Sequence, residues 1–381
     1  MHLSLPQSSI LRVPANAGTA KRGLTHGWIF FAALFLAMTG VAKAQFDWKS
    51  NGAGTPSSRW STANHWTGGV APAAGASGAF TFTTGNCATP NNDVTGAAIT
   101  ATSITFGSGT NAYTLSGNGI NLSGNVLNSS SALQTISMPL GLTADVSFGG
   151  GTSGLAISGV ISGGQNITTT GTVSFTAGNT FSGTTTISSG TLTIGIGGSL
   201  SNTTNVTINS GGTLLLGGTN NDKINNSATV TLAGGTLSLG GLASLSETVG
   251  ALTLSSTSTI DFGTFAAGNT LTFANSSGAS WSGTLNVYNW TQGTDHLFFG
   301  TTDSGLTSTQ LSHINFYSDS GTTLLDIGGT GGGKFGLGTG EVRPTPEPSA
   351  LLVGVGLCLM VCYREGWFMR RRRLPLATTA A

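Results

Sequence analysis

Short alternating runs of β-branched and hydroxyl residues fill most of this chain. Thr185-Thr186-Ile187, Thr191-Leu192-Thr193-Ile194, Val206-Thr207-Ile208, Val230-Thr231-Leu232 and Leu271-Thr272-Phe273 each place aliphatic or aromatic residues at every second position. That period of two predicts strands with one face buried and threonine outward. Gly-Gly and Asn-Ser pairs punctuate the runs as turns. Helical periodicity is confined to the two ends, at Trp28-Ile29-Phe30-Phe31-Ala32-Ala33-Leu34-Phe35-Leu36-Ala37-Met38 and again at 349–363.

The strand runs also repeat. Ile187-Ser188-Ser189-Gly190-Thr191-Leu192, Ile208-Asn209-Ser210-Gly211-Gly212-Thr213-Leu214 and Leu232-Ala233-Gly234-Gly235-Thr236-Leu237 are copies of one unit. Their Gly-Thr-Leu step recurs at Gly190, Gly212 and Gly235, a period of 22 to 23 residues. One coil of a parallel β-helix has that length, and each coil buries its aliphatics on those of the next. Neutral side chains suit such stacking, because a charge would face its own like in neighbouring coils. Asparagine and threonine can form hydrogen-bond ladders there instead. The fold expected is therefore all-β, a right-handed parallel β-helix, with an antiparallel sandwich as the alternative.

Composition separates the body from its ends. Only 7% of residues are charged. Between Gln45 and Pro348 five basic residues, Lys49, Arg59, Lys223, Lys334 and Arg343, stand against twelve carboxylates, a net charge near −7. A nucleic-acid partner is excluded, because phosphate binding needs clustered cations. Cys87 is the body's only cysteine, so no disulfide can form within it.

The N-terminus carries Lys21 and Arg22, the apolar run 28–38, and the small-residue site Ala42-Lys43-Ala44 before Gln45. That is the pattern of a Sec-type signal peptide over 1–44, cleaved after Ala44; an uncleaved anchor is the other possibility. At the other end Pro346-Glu347-Pro348 precedes the apolar run 349–363, and Arg370-Arg371-Arg372-Arg373 follows it. An apolar segment with a basic cluster behind it stops in a membrane. Arg364 and Glu365 interrupt the apolar stretch, which spans if the helix continues through Trp367-Phe368-Met369. The segment 346–373 resembles the PEP-CTERM tail of Gram-negative bacteria. The resemblance implies an exosortase partner that removes the tail near the Pro-Glu-Pro, a transient inner-membrane anchor, and a final place on the surface or in the extracellular matrix.

A second resemblance lies in the body. Residues 170–192, with Asn179-Thr180-Phe181-Ser182-Gly183, Thr185-Thr186-Ile187 and Gly190-Thr191-Leu192, look like the autotransporter-associated β-strand repeat. In that family the repeats build passenger stalks. A membrane barrel of the autotransporter kind is not expected here.

The expected organisation is then a Trp-rich cap at 45–100, a repeat body at 101–273 (clearest at 170–241), a C-terminal cap at 274–327 and a flexible Gly-rich linker at 328–345. Trp48, Trp60 and Trp66 read as indoles closing the first coil, with a sugar platform as the rival. Chemistry is sparse: Asp93, Asp145, Asp222, Glu247 and Asp261 are scattered, and Lys223 is expected in a solvated turn. The densest titratable group is Asp295-His296 with Asp303 and His313. No catalytic, metal or cofactor site is expected. The function expected is a non-enzymatic exported structural protein associated with exopolysaccharide. The alternatives are a polysaccharide-degrading β-helix enzyme, marked by clustered acids, and an adhesin, marked by exposed aromatics near Trp60 or Trp281.

Overall fold

The computed structural model describes residues 44–49, 58–83, 89–218, 221–240, 244–264, 268–325, 332–336 and 338–344. These all belong to one compact unit that starts at Ala44. The expected signal helix and transmembrane sorting helix lie outside the described residues.

The chain winds into a parallel β-solenoid of about ten turns. Its first face runs from Ala44–Trp48 through Ser77–Phe82 and Thr100–Phe106 to Leu252–Ser256. The second face is an 11-stranded sheet from Asn91–Asn92 to Ile314–Phe316. Strand Thr100–Phe106 pairs by its start with Ile120–Leu122 and by its end with Val126–Asn128, and there a third face splits from the first. Among the described residues every paired strand is parallel to its neighbours except one terminal hairpin, Gly333–Phe335 with Val342–Pro344. The antiparallel sandwich is therefore excluded.

The repeat read from sequence is the register of the solenoid. Gly190 pairs with Gly212, and Leu192 stacks on Leu214, which stacks on Leu237. The inward column Leu155, Val173, Leu192, Leu214, Leu237, Ile260, Val287, Phe316 runs through eight coils at no more than 1% exposure. Burial of each such side chain is worth about 1.5–3 kcal/mol, so the column is a major part of what holds the stack together. Several polar residues that enter the core arrive with partners. Thr203 Oγ1 donates to Gly183 O (2.8 Å) and lies 3.3 Å from Thr185 Oγ1. Gln134 Oε1 accepts from the Tyr113 amide at 2.8 Å.

Coil length is less regular than the repeat suggests. It is 18 residues from Thr168 to Thr186, 22 from Leu192 to Leu214 and 29 from Leu285 to Ile314. Strands remain short and aligned while the turns between them absorb the difference. The coils accordingly extend past the expected body on both sides. Ser77–Phe82 already belongs to the first face, and Leu285–Tyr288 and Ile314–Phe316 continue the second.

Trp48, Trp60 and Trp66 are at most 1% exposed. They sit inside the first coils against phenylalanines, with Trp60 stacked on Phe80 at 5.0 Å and Trp66 edge-on to Trp60 at 5.7 Å. Trp66 Nε1 donates to Trp60 O at 2.7 Å. A sugar platform needs an open ring face, so these three residues cannot provide one.

The second half of the expected linker is folded instead. The hairpin 333–344 rests on the last coil, where Phe299 donates to Gly340 O at 2.8 Å and Val342 is fully buried. Glycine-rich composition alone misses this, because the anchoring contacts come from residues about forty positions upstream.

Candidate functional site

Two sets of outward positions of the coils line up as uncharged rows. On the first face Ser147, Thr168, Thr186, Thr207, Thr231 and Thr253 are in direct register. On the second face Thr172, Thr191, Thr213, Thr236, Thr259, Asn286 and Asn315 form a seven-membered row. Strand spacing sets the repeat within a row at about 4.8 Å, and alternation sets neighbouring rows about 7 Å apart.

A third row lies two residues before the first. Asn166 Nδ2 donates to Asp145 Oδ2 (3.0 Å), and Thr184 Oγ1 donates to Asn166 Oδ1 (3.0 Å). Asn205 Nδ2 donates to Thr229 Oγ1 at 2.9 Å. Backbone and side-chain donors from Asn166 hold the Asp145 carboxyl below its ordinary value. These side chains are locked by one another, so the first face offers a fixed lattice rather than loose hydroxyls.

The titratable residues do not converge. Asp295 accepts from the Asn269 and Thr291 amides at 2.8 and 2.7 Å, and burial pushes its carboxyl up. Asp303 accepts from the amides of Gly338 and Gly340, while His313 Nδ1 lies 2.6 Å from Gly283 O. Asp295 also clamps its own loop through Thr291, while Asp303 and His313 each tie a different, distant segment. Among the described residues no three His, Cys, Asp or Glu side chains gather in one place.

Lys223 is not in a solvated turn; it is fully buried. Its ammonium donates to Gly195 O at 3.1 Å, and burial lowers its basicity. Glu247, one coil later, accepts from the amides of Lys223 (2.8 Å) and Ile224 (2.7 Å) and is also fully buried. Burial drives its carboxyl up to about 7 against those two hydrogen bonds. The pair reads as scattered in sequence because its members lie 24 residues apart. That separation is one coil, the only signal that could have joined them.

A charged group that the sequence did not reveal closes the C-terminal end. His296 Nδ1 meets Glu341 Oε1 at 2.7 Å, and Arg343 pairs with the other carboxylate oxygen. Burial opposes ionisation of Glu341, but the bonds from Arg343 and His296 keep its carboxyl below the ordinary value. Glu341→Ala should loosen the hairpin alone. Hydrogen exchange at the Phe299 and Gly336 amides is expected to speed up about tenfold, roughly 1.4 kcal/mol of local stability. The amides of the Leu192–Leu214 coils should not change.

Of the expected sorting residues, Ala44 and Gln45 open the first strand, both exposed and paired with Gly78 and Ala79. Ala42, Pro346, Glu347, Pro348, Arg370, Arg371, Arg372 and Arg373 lie outside the described residues. Only Thr345 separates the buried end of the hairpin at Pro344 from Pro346. No family model matches the chain, and neither a curated protein nor a solved structure is similar to it.

Proposed function

We propose that this chain is an exported, non-enzymatic structural protein that associates with extracellular polysaccharide through its hydroxyl and amide rows. The single observation that carries this reading is the six- and seven-membered uncharged rows fixed at strand spacing. Each hydroxyl or amide adds little by itself, but many on one rigid face act together. An uncharged lattice favours neutral glycan over nucleic acid or anionic surfaces. In this reading the signal peptide 1–44 is removed after Ala44, and the tail 346–373 anchors the chain in the inner membrane until an exosortase cuts near Pro346-Glu347-Pro348. The solenoid is right-handed, and its product resides on the cell surface or in the matrix of a Gram-negative bacterium.

Two measurements test the two halves. Replacing Thr168, Thr186, Thr207 and Thr231 together by valine keeps β propensity and removes the hydroxyls. Co-sedimentation with the producing strain's exopolysaccharide should fall at least tenfold while the circular dichroism spectrum is kept. Unchanged sedimentation would remove the rows from the interaction. Mass spectrometry of the product from strains with and without an exosortase should show loss of 360–381 only where the enzyme is present. A tail retained in both strains would end the sorting half.

A further inference from the structure

The last coil carries a cleft of a different character from the rows. It measures about 120 Å³ and is lined by Trp281, Gln310, His313, Ser277, Thr307 and Thr309. Trp281 is the one tryptophan among the described residues that is not buried. Its ring cannot turn freely, since Nε1 donates to Leu252 O at 3.0 Å and the indole packs edge-on to Phe299 at 5.9 Å. The walls are fixed as well. The buried Gln310 amide donates to Ser276 O and Ala279 O, both at 2.9 Å, and accepts from the Thr307 amide at 2.7 Å. A one-turn helix, Ser308–Leu311, is thereby tied to the loop opposite.

The lining chemistry selects a ligand. No carboxylate, lysine or arginine lines the cleft, which disfavours metal ions, phosphates and acidic sugars alike. His313 Nδ1 faces a carbonyl, which can only accept, so Nδ1 carries a proton, and in the neutral ring Nε2 is the acceptor. A partly exposed indole with hydroxyls and an imidazole around it matches a molecule with an apolar C–H face and a rim of hydroxyls. The volume is below the ~300–1,000 Å³ of pockets that engulf a larger ligand, so it suits one ring.

We infer that this cleft binds a single neutral pyranose ring, the terminal sugar of a glycan, with its C–H face on Trp281 and its hydroxyls toward Thr309, Ser277 and His313. The site stands on its own residues and does not require the threonine rows to bind anything.

The test uses the full chain, ¹⁵N-labelled at tryptophan, in a detergent without a sugar headgroup. The Trp281 indole cross-peak is identified by its loss in Trp281→Phe. Glucose, galactose, mannose, N-acetylglucosamine and glucuronate are titrated separately into the millimolar range. The expected result is a saturable shift of the Trp281 peak with at least one neutral sugar, and no shift of the Trp48, Trp60, Trp66 or Trp290 peaks. His313→Ala should weaken that binding about tenfold or more. The quadruple threonine variant should leave it unchanged, which separates this site from the rows. No saturable shift with any neutral sugar, or a shift with glucuronate alone, would overturn the inference.

Discussion

Gly190→Val is expected to lower the stability of the central coils by about 3–5 kcal/mol, among the largest effects available to a single substitution here. Gly190 turns the chain from the first face to the second with φ of +74°. Any side chain at that φ costs roughly 1–2 kcal/mol. Space adds a second cost. A Cβ at Gly190 would meet the Gly171 carbonyl group and lie 2.6 Å from Gly171 Cα, all backbone atoms that cannot rotate away. Gly171 in turn sits at φ +67°, and its own Cβ would be 2.6 Å from Gly151 O. The corner is thus a stack of glycines in which successive coils touch backbone to backbone. Gly211→Ala is the control, because Gly211 has φ +76° but open space around its Cβ position. It should cost only the strain, about 1–2 kcal/mol. Urea unfolding gives the totals, and hydrogen exchange at Thr191 and its neighbours localises them, since a solenoid transmits damage mainly to adjacent coils. Equal costs for the two variants would show that close approach at the corner is unimportant.

That corner was legible in advance, and the reason is physical. Gly190, Gly212 and Gly235 recur because a stacked corner leaves no room for Cβ, and the Thr-Leu that follows recurs because one residue points out and the next points in. Where stacking is the only constraint, sequence period equals coil length. Other parts follow different constraints and leave no period. The first coils are filled by Phe46, Phe80, Phe82 and three tryptophans, so their strands carry no Gly-Thr-Leu step. The last coils reach 29 residues because a helix and a loop sit between strands, and Asn286 and Asn315 continue the threonine row without resembling it. The hairpin at 333–344 depends on His296 and Asp303, contacts no local pattern can announce. For the site the rows followed directly from the alternation. Among the described residues, the one tryptophan that is not buried, Trp281, could not be told from the others by composition alone.

The body should lose stability as pH rises from about 5 to 8, and Glu247→Gln should abolish most of that loss. The Glu247 carboxyl ionises at about 7 in the fold against 4.5 as an ordinary side chain. A raised folded value means the fold prefers the protonated form. Its contribution is complete below pH 4.5 and is lost as pH rises through 7. A shift of that size corresponds to roughly 3 kcal/mol at about 1.4 kcal/mol per unit. The neighbouring groups pull in different directions. Asp222 adds negative charge that favours protonation of Glu247. Lys223, lowered by burial, contributes in the opposite sense. Asp319, held down to about 2 by the amides of Thr323, Thr322 and Gly321, matters only in strong acid. Glutamine stays neutral throughout and keeps a carbonyl for one of the two amides, those of Lys223 and Ile224. It should therefore cost about 1 kcal/mol at pH 5 and be about 1–2 kcal/mol more stable than the parent at pH 8, where the parent has lost its contribution from Glu247. Urea unfolding of both chains at pH 5 and 8 decides the matter. Parallel pH dependences would mean that Glu247 does not ionise in this range. Curves that cross between those pH values would make one buried carboxyl the reason this solenoid is firmest in mild acid.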